Sequence, residues 1–176
     1  MRHPLDFIPA TSRKLLFFTF LILTLGLFAV FQILDGPIKT PAAPNGIVSF
    51  ELAGSSAAAR AMINSWDASA RLNTAFGLGL DYLFMPVYAT AIALAALLAA
   101  GKHPGGYASL GVVAGYGAYV AALFDAVENY ALWQILTGDV ASAWSSVAAI
   151  CAAIKFIFFI GGVLYGLVGW LMPKRA

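Results

Sequence analysis

Apolar residues run in four long blocks along the chain, separated by short breaks rich in Gly, Pro or charge. The first block, Leu15 to Leu34, is uncharged over about 20 positions. At 1.5 Å per residue that is enough helix to cross roughly 30 Å of hydrocarbon. It follows Arg13-Lys14 and stops at Asp35-Gly36-Pro37. The second block covers about 72–100 and ends at Gly101-Lys102-His103-Pro104. The third covers about 107–136 and ends at Thr137-Gly138-Asp139, and the fourth about 143–172, ending at Pro173-Lys174-Arg175. Such boundaries are where helices stop. A basic start before an apolar core also suits a secretory signal. This core is long for one and no small-x-small cleavage site follows it, so the first block is read as an uncleaved helix.

The pattern predicts an all-α fold: an integral membrane four-helix bundle forming one domain over residues 1–176, with an outer loop at 35–71. Within that loop, Gly36-Pro37 to Gly46 reads as a Pro-rich turn and NGIVSFELAG (45–54) as a short extended piece. SSAAARAMINSW (55–66) reads as a short amphipathic helix with Ser55 or Ser56 as its N-cap. Ala59, Met62, Ile63 and Trp66 share one face of it, and Arg60, Asn64 and Asp67 lie on others. A helix of this kind suits the membrane interface or the top of the bundle, and a capping role is preferred to a partner-binding one.

Composition supports a lipid solvent. The chain is 61% hydrophobic and 10% charged, against about 25% charged in soluble domains. A formal net charge of +2 is too small and too scattered for a nucleic-acid partner. With two His and one Cys, neither a disulfide framework nor a His/Cys zinc site can be built. Cys151 reads as a packing residue. His3 and His103 fall in the flanks of the spans, which argues against haem, and no cofactor is expected.

Charge also sets orientation. Arg2, Arg13, Lys14, Lys102, Lys174 and Arg175 flank the spans on one side, and the short loop on the other side carries only Asp139. The positive-inside rule then places both termini in the cytoplasm of a multi-pass inner-membrane protein. Lys39, Arg60 and Arg71 in the outer loop weaken this bias without reversing it.

The candidate chemistry lies within the blocks. Asp81 is roughly 14 Å deep from the outer surface, Glu128 and Asp125 roughly 12–17 Å, and Lys155 roughly 18 Å. Asp125, Glu128 and Asn129 are spaced i, i+3, i+4 and share a helix face. Small residues line the same stripes, and Gly111/Gly115 and Gly162/Gly166 match the small-xxx-small pattern of close helix approach. Pro86, one turn past Asp81, frees the carbonyl of Tyr82 and is expected to kink its helix. An intramembrane cluster of Asp81, Asp125, Glu128, Asn129 and Lys155, with Tyr82 and Tyr88 as neighbouring aromatics, is therefore the expected site. Each charge at a helix centre costs about 2.5–3.5 kcal/mol to insert. One lysine against three acids oversupplies a structural ion pair.

The succession SFELAG (49–54), Trp66, GLDYLF (79–84), FDAVEN (124–129) and KF (155–156) resembles a family of small bacterial inner-membrane proteins with four predicted helices. That resemblance implies architecture and no activity. The expected function is non-catalytic: binding of an amphipathic or lipid-like ligand, or of a membrane partner or second copy, through the polar cluster. The alternatives are a structural subunit in which the buried charges are interhelical glue, and a proton-linked transporter or carboxylate-dependent membrane enzyme. No nucleophile motif, metal box or phosphate loop is present to favour an enzyme. An all-carboxylate metal site from Asp81, Asp125 and Glu128 is opposed by the charge of Lys155.

Overall fold

A computed structural model of the protein describes residues 2–139 and 143–173. Lys174 and Arg175, which carry part of the orientation reading, lie outside the described residues. Among those residues the fold is all-helical: α1 (Ala10–Asp35), a 3-10 turn (Gly36–Ile38), α2 (Ile47–Glu51), α3 (Ser56–Ser65), α4 (Ala68–Ala100), α5 (Gly106–Leu136) and α6 (Trp144–Leu171). Four of these, α1, α4, α5 and α6, are long and apolar enough to cross a membrane.

α1 and α4 begin five and four residues before their apolar blocks, because polar residues fill their first turns. Asp67 explains one such start. Its Oδ1 accepts the Ala70 N–H at 2.7 Å, so α4 is capped ahead of its apolar run. α4 continues through Pro86 to Ala100. Burial differs sharply among the spans: 61% of the most apolar window of α4 lies inside the chain, against none of that of α1. Leu15, Ile22, Leu25, Phe28 and Ile33 of α1 are exposed. In water such a surface would be an aggregation liability.

The chain divides into two compact units, and each long helix contributes one stretch to each of them. The first unit comprises residues 2–25, 85–123 and 155–173. Its core packs Leu5 with Ala93, Leu94 and Leu97, with Leu16, Phe17 and Phe20 of α1 against them. Leu5 gets there because residues 2–9 fold back in a series of turns, with Asp6 N–H donating to His3 O and Ile8 N–H to Leu5 O. Between α5 and α6, Tyr107 and Tyr165 stack at 4.4 Å and bond reciprocally: Tyr107 Oη donates to Tyr165 O at 2.6 Å, and Tyr165 Oη to Tyr107 O at 2.8 Å. A Cβ at Gly111 would strike the Tyr165 hydroxyl, and one at Gly169 the Tyr107 hydroxyl. Gly111 therefore admits a tyrosine and Gly115 admits the His3 ring. Close helix approach was expected at this pair; Gly111 does bring α5 against Ala100 Cβ of α4, and the Tyr165 and His3 side chains share the space at the two glycines.

The second unit comprises residues 26–84, 124–139 and 143–154. Here the loop between α1 and α4 is a folded cap. Ser55 Oγ accepts the Ala58 N–H at 3.3 Å, so Ser55 is the N-cap of α3, and its apolar face is inward as the spacing predicts. Ile38, Phe50, Ile63 and Trp66 share one core with Leu78 of α4, Leu132 and Ile135 of α5, and Ala148 of α6. Trp66 is its anchor: the ring meets Phe50 edge-on at 5.1 Å, and its Nε1–H donates to Ile38 O at 2.9 Å. Loss of such a side chain costs about 3–5 kcal/mol. Residues 47–51, expected to be extended, form the helical turn α2 instead. Asp35 is the reason. Its Oδ1 accepts the Ile47 N–H at 2.7 Å, an acceptor 12 residues away that starts a helix which local propensity alone would not.

Candidate functional site

The second unit holds seven acids (Asp35, Glu51, Asp67, Asp81, Asp125, Glu128, Asp139) and three bases (Lys39, Arg60, Arg71). Three of the acids have evident structural tasks. Asp35 starts α2 and pairs with Lys39 at 3.2 Å, Asp67 caps α4, and Asp139 accepts the Trp144 Nε1–H at 2.9 Å. Arg71 is turned to the Ile63 carbonyl at 2.9 Å. Glu51, Asp81, Asp125 and Glu128 remain, and these define the site.

α5 presents Asp125, Glu128 and Asn129 on one face because successive residues turn by about 100°. All three are buried, and Glu128 is 0% exposed, whereas Val127 and Tyr130 between and beside them are exposed. The face continues into Leu132 and Ile135 of the core under the cap. Across from it, α4 offers Leu78, Asp81 and Tyr82. Asn129 Nδ2 donates to Asp81 Oδ2 at 2.9 Å and to the Leu78 carbonyl at 3.2 Å, spending both of its hydrogens on α4. Tyr82 Oη donates to the Ala126 carbonyl at 3.1 Å, a second tie between the same helices. Asp81 is half-buried and Tyr82 is 49% exposed, so this edge of the site reaches the surface of the chain. Glu51 is buried in α2. None of the four acids lacks an interacting group.

Of the expected cluster, the structure thus brings together Asp81 and Asn129 directly, with Tyr82, Asp125 and Glu128 on the same two helices. Lys155 and Tyr88 belong to the first unit. Lys155 is buried there, with Nζ 4.9 Å from the centroid of the Phe156 ring, and Tyr88 is a core residue edge-on to Phe159 at 5.2 Å. Thr74, on the Asp81 stripe, turns its Oγ1 back to the Ala70 carbonyl at 2.9 Å. Among the described residues no group of three His, Cys, Asp or Glu side chains is placed to hold a metal ion.

Three buried polar residues were not singled out by the sequence. Ser145, at the start of α6, has a buried hydroxyl with no hydrogen-bond partner. His103, read as a flank residue, is buried at 1% exposure and its Nε2–H donates to Gly169 O at 3.0 Å. His3 is buried as well. Burial, the largest influence, lowers its pKa from the ordinary histidine value; Asp6 raises it and Arg13 lowers it further. For His103 and His3 the mark is a neighbour remote in sequence, Gly169 and Gly115 respectively.

Compared with family profiles, with curated proteins and with solved structures, the chain shows no match to any of the three.

Proposed function

We propose that the chain is a non-catalytic, multi-pass inner-membrane protein that binds an amphipathic ligand, with an amine-bearing polar head, through the acids of its second unit. Four apolar helices and the exposed apolar surface of α1 support the bilayer as its solvent. Orientation follows the charges that flank the spans: Arg2, Arg13 and Lys14 before α1 and in its first turns and Lys102 between α4 and α5, against Asp6 alone, favour cytoplasmic termini.

The observation that carries the ligand reading is Asp81. It is half-buried at the open edge of a site whose other acids are enclosed, beside the exposed ring of Tyr82. Asn129 Nδ2 donates to its Oδ2 at 2.9 Å, which fixes the carboxylate on the α5 side of α4. A cationic head at Asp81, with its chain along Tyr82 in the lipid, would match both the charge and the exposed ring. Asp125 and Glu128 stand buried on α5, the helix that Asn129 ties to Asp81. Lys155 and Tyr88 are not needed by this reading.

A second reading has its own support. Asn129 bridging Asp81 and the Leu78 carbonyl is what interhelical glue would do, and such bonds are worth about 0.6 kcal/mol on average in membrane proteins. Asp81→Asn separates the two, because the amide keeps an oxygen for Asn129 and loses only the charge. Delipidated protein in neutral detergent is titrated with a single-chain amine amphiphile and followed by native mass spectrometry. Ligand binding predicts a complex that weakens about tenfold or more in Asp81→Asn, the loss of one charge-assisted contact. The variant should melt like wild type. Absence of any complex with the wild-type protein would sink the ligand reading and leave the structural one.

A further inference from the structure

The first unit contains a cavity of about 300 Å³ whose walls come from the folded-back N-terminal segment, the start of α1, the end of α4 and the start of α5. Three long apolar helices begin or end around it, so on the membrane reading above it lies where hydrocarbon gives way to water. Its lining is two-faced. Leu97 and Val112 are part of an apolar wall, and Arg2, His3, Asp6 and Arg13 form a polar rim.

The rim is preorganised and positive. Arg13 Nε–H donates to the Ile8 carbonyl at 2.9 Å and one terminal nitrogen donates to the Asp6 carbonyl at 3.2 Å. These two nitrogens carry three of the five guanidinium hydrogens, and the other terminal nitrogen carries two more. The Asp6 carboxylate stands 3.8 Å from Arg13, a long ion pair, while its Oδ2 accepts the His3 backbone N–H at 3.1 Å. Arg2 is exposed at the rim. His3 is buried at 5% exposure. Its Nδ1 accepts the Leu5 N–H at 3.1 Å, which puts the neutral ring's hydrogen on Nε2, and Nε2 has no hydrogen-bond partner. Nε2 lies where a Cβ of Gly115 would stand, so the ring is held between α5 and the rim, and the two arginines there outnumber the one carboxylate.

We propose that this cavity holds the anionic phosphate of an amphiphile, with Arg2 and Arg13 on the phosphate and the wall of Leu97 and Val112 against the apolar chain. Guanidinium groups suit phosphate because their paired N–H bonds match its oxygens. The proposal does not depend on the ligand site of the second unit.

The test uses the full chain in neutral detergent, titrated with dihexanoyl phosphatidylglycerol, with dihexanoyl phosphatidylcholine and with inorganic phosphate. Binding is read by native mass spectrometry and by the pH titration of the His3 ring in NMR. The anionic lipid should bind about tenfold tighter than the zwitterionic one, less so at high salt, and it should raise the His3 pKa. Arg2→Gln, at an exposed position, should weaken it about two- to fivefold, the range of an exposed ion pair. Arg13→Gln should weaken it more. Inorganic phosphate that raises the His3 pKa as far as the lipid does supports the same anion site with a soluble occupant. Equal binding of the two lipids would overturn the proposal. So would wild-type binding by folded Arg2→Gln and Arg13→Gln proteins.

Discussion

Gly46→Ala tests how the cap is fastened over the second unit. Gly46 precedes α2 with φ +56° and ψ −126°, a backbone conformation that L side chains rarely adopt. Forcing alanine into such a region costs about 1–3 kcal/mol. The added Cβ would also land on the Asp35 carboxylate. That carboxylate accepts the Ile47 N–H at 2.7 Å and pairs with Lys39 at 3.2 Å, so it cannot move without giving up the start of α2. A hydrogen bond to a charged group is worth about 1.5–3 kcal/mol. The two effects together come to about 2.5–6 kcal/mol, acting on cap opening rather than on the long helices. Hydrogen exchange at the amides of Ile47 and Phe50 reads this directly. At 1.4 kcal/mol per tenfold, Gly46→Ala should speed exchange by about fiftyfold or more. Asp35→Asn keeps an acceptor for Ile47, and its effect should be smaller. Exchange within threefold of wild type in Gly46→Ala would refute the reasoning, since it would mean that neither the glycine nor the carboxylate holds the cap.

In the first unit, Gly111→Ala should lower the melting temperature in detergent more than Tyr165→Phe. The first forces a methyl against the Tyr165 hydroxyl, at about 1–3 kcal/mol, and the second removes one hydrogen bond worth about 1 kcal/mol. The reverse order would refute the assignment of Gly111 to that hydroxyl. His3 should make the docking of residues 2–9 sensitive to acid. Its folded pKa is depressed, so the unfolded segment binds the proton more readily. The stabilisation is present above the unfolded value near 6.5 and is lost as pH falls below it. Exchange at the Leu5 amide should accelerate on acidification, and His3→Gln should flatten that dependence. For topology, reporter fusions at Lys102 should score cytoplasmic and a fusion at Pro41 external; the opposite pattern would reverse the orientation.

What the sequence by itself determined were the features set by local physics. Apolar blocks of bilayer length between Gly, Pro and charged stops yield α1, α4, α5 and α6, because helix formation needs only neighbours in the chain and a nonpolar solvent. Ser55 as a cap, the inward face of α3 and the shared face of Asp125, Glu128 and Asn129 follow from spacing alone. Tertiary structure decided everything that depends on a partner remote in sequence. Asp35 turns residues 47–51 into a helix where their β-branched and aromatic content reads as extended. His3 and Leu5, in a terminal stretch too short to show periodicity, become core residues because the segment folds back onto helices about 90 residues away. Gly111 and Gly115 follow the pattern of close helix approach, and besides Ala100 of α4 at Gly111 they admit a tyrosine and a histidine that the pattern does not name. The depth estimates that group Lys155 and Tyr88 with the acids rest on position along a helix alone. Depth along a helix fixes one coordinate of a side chain, and only packing fixes the other two.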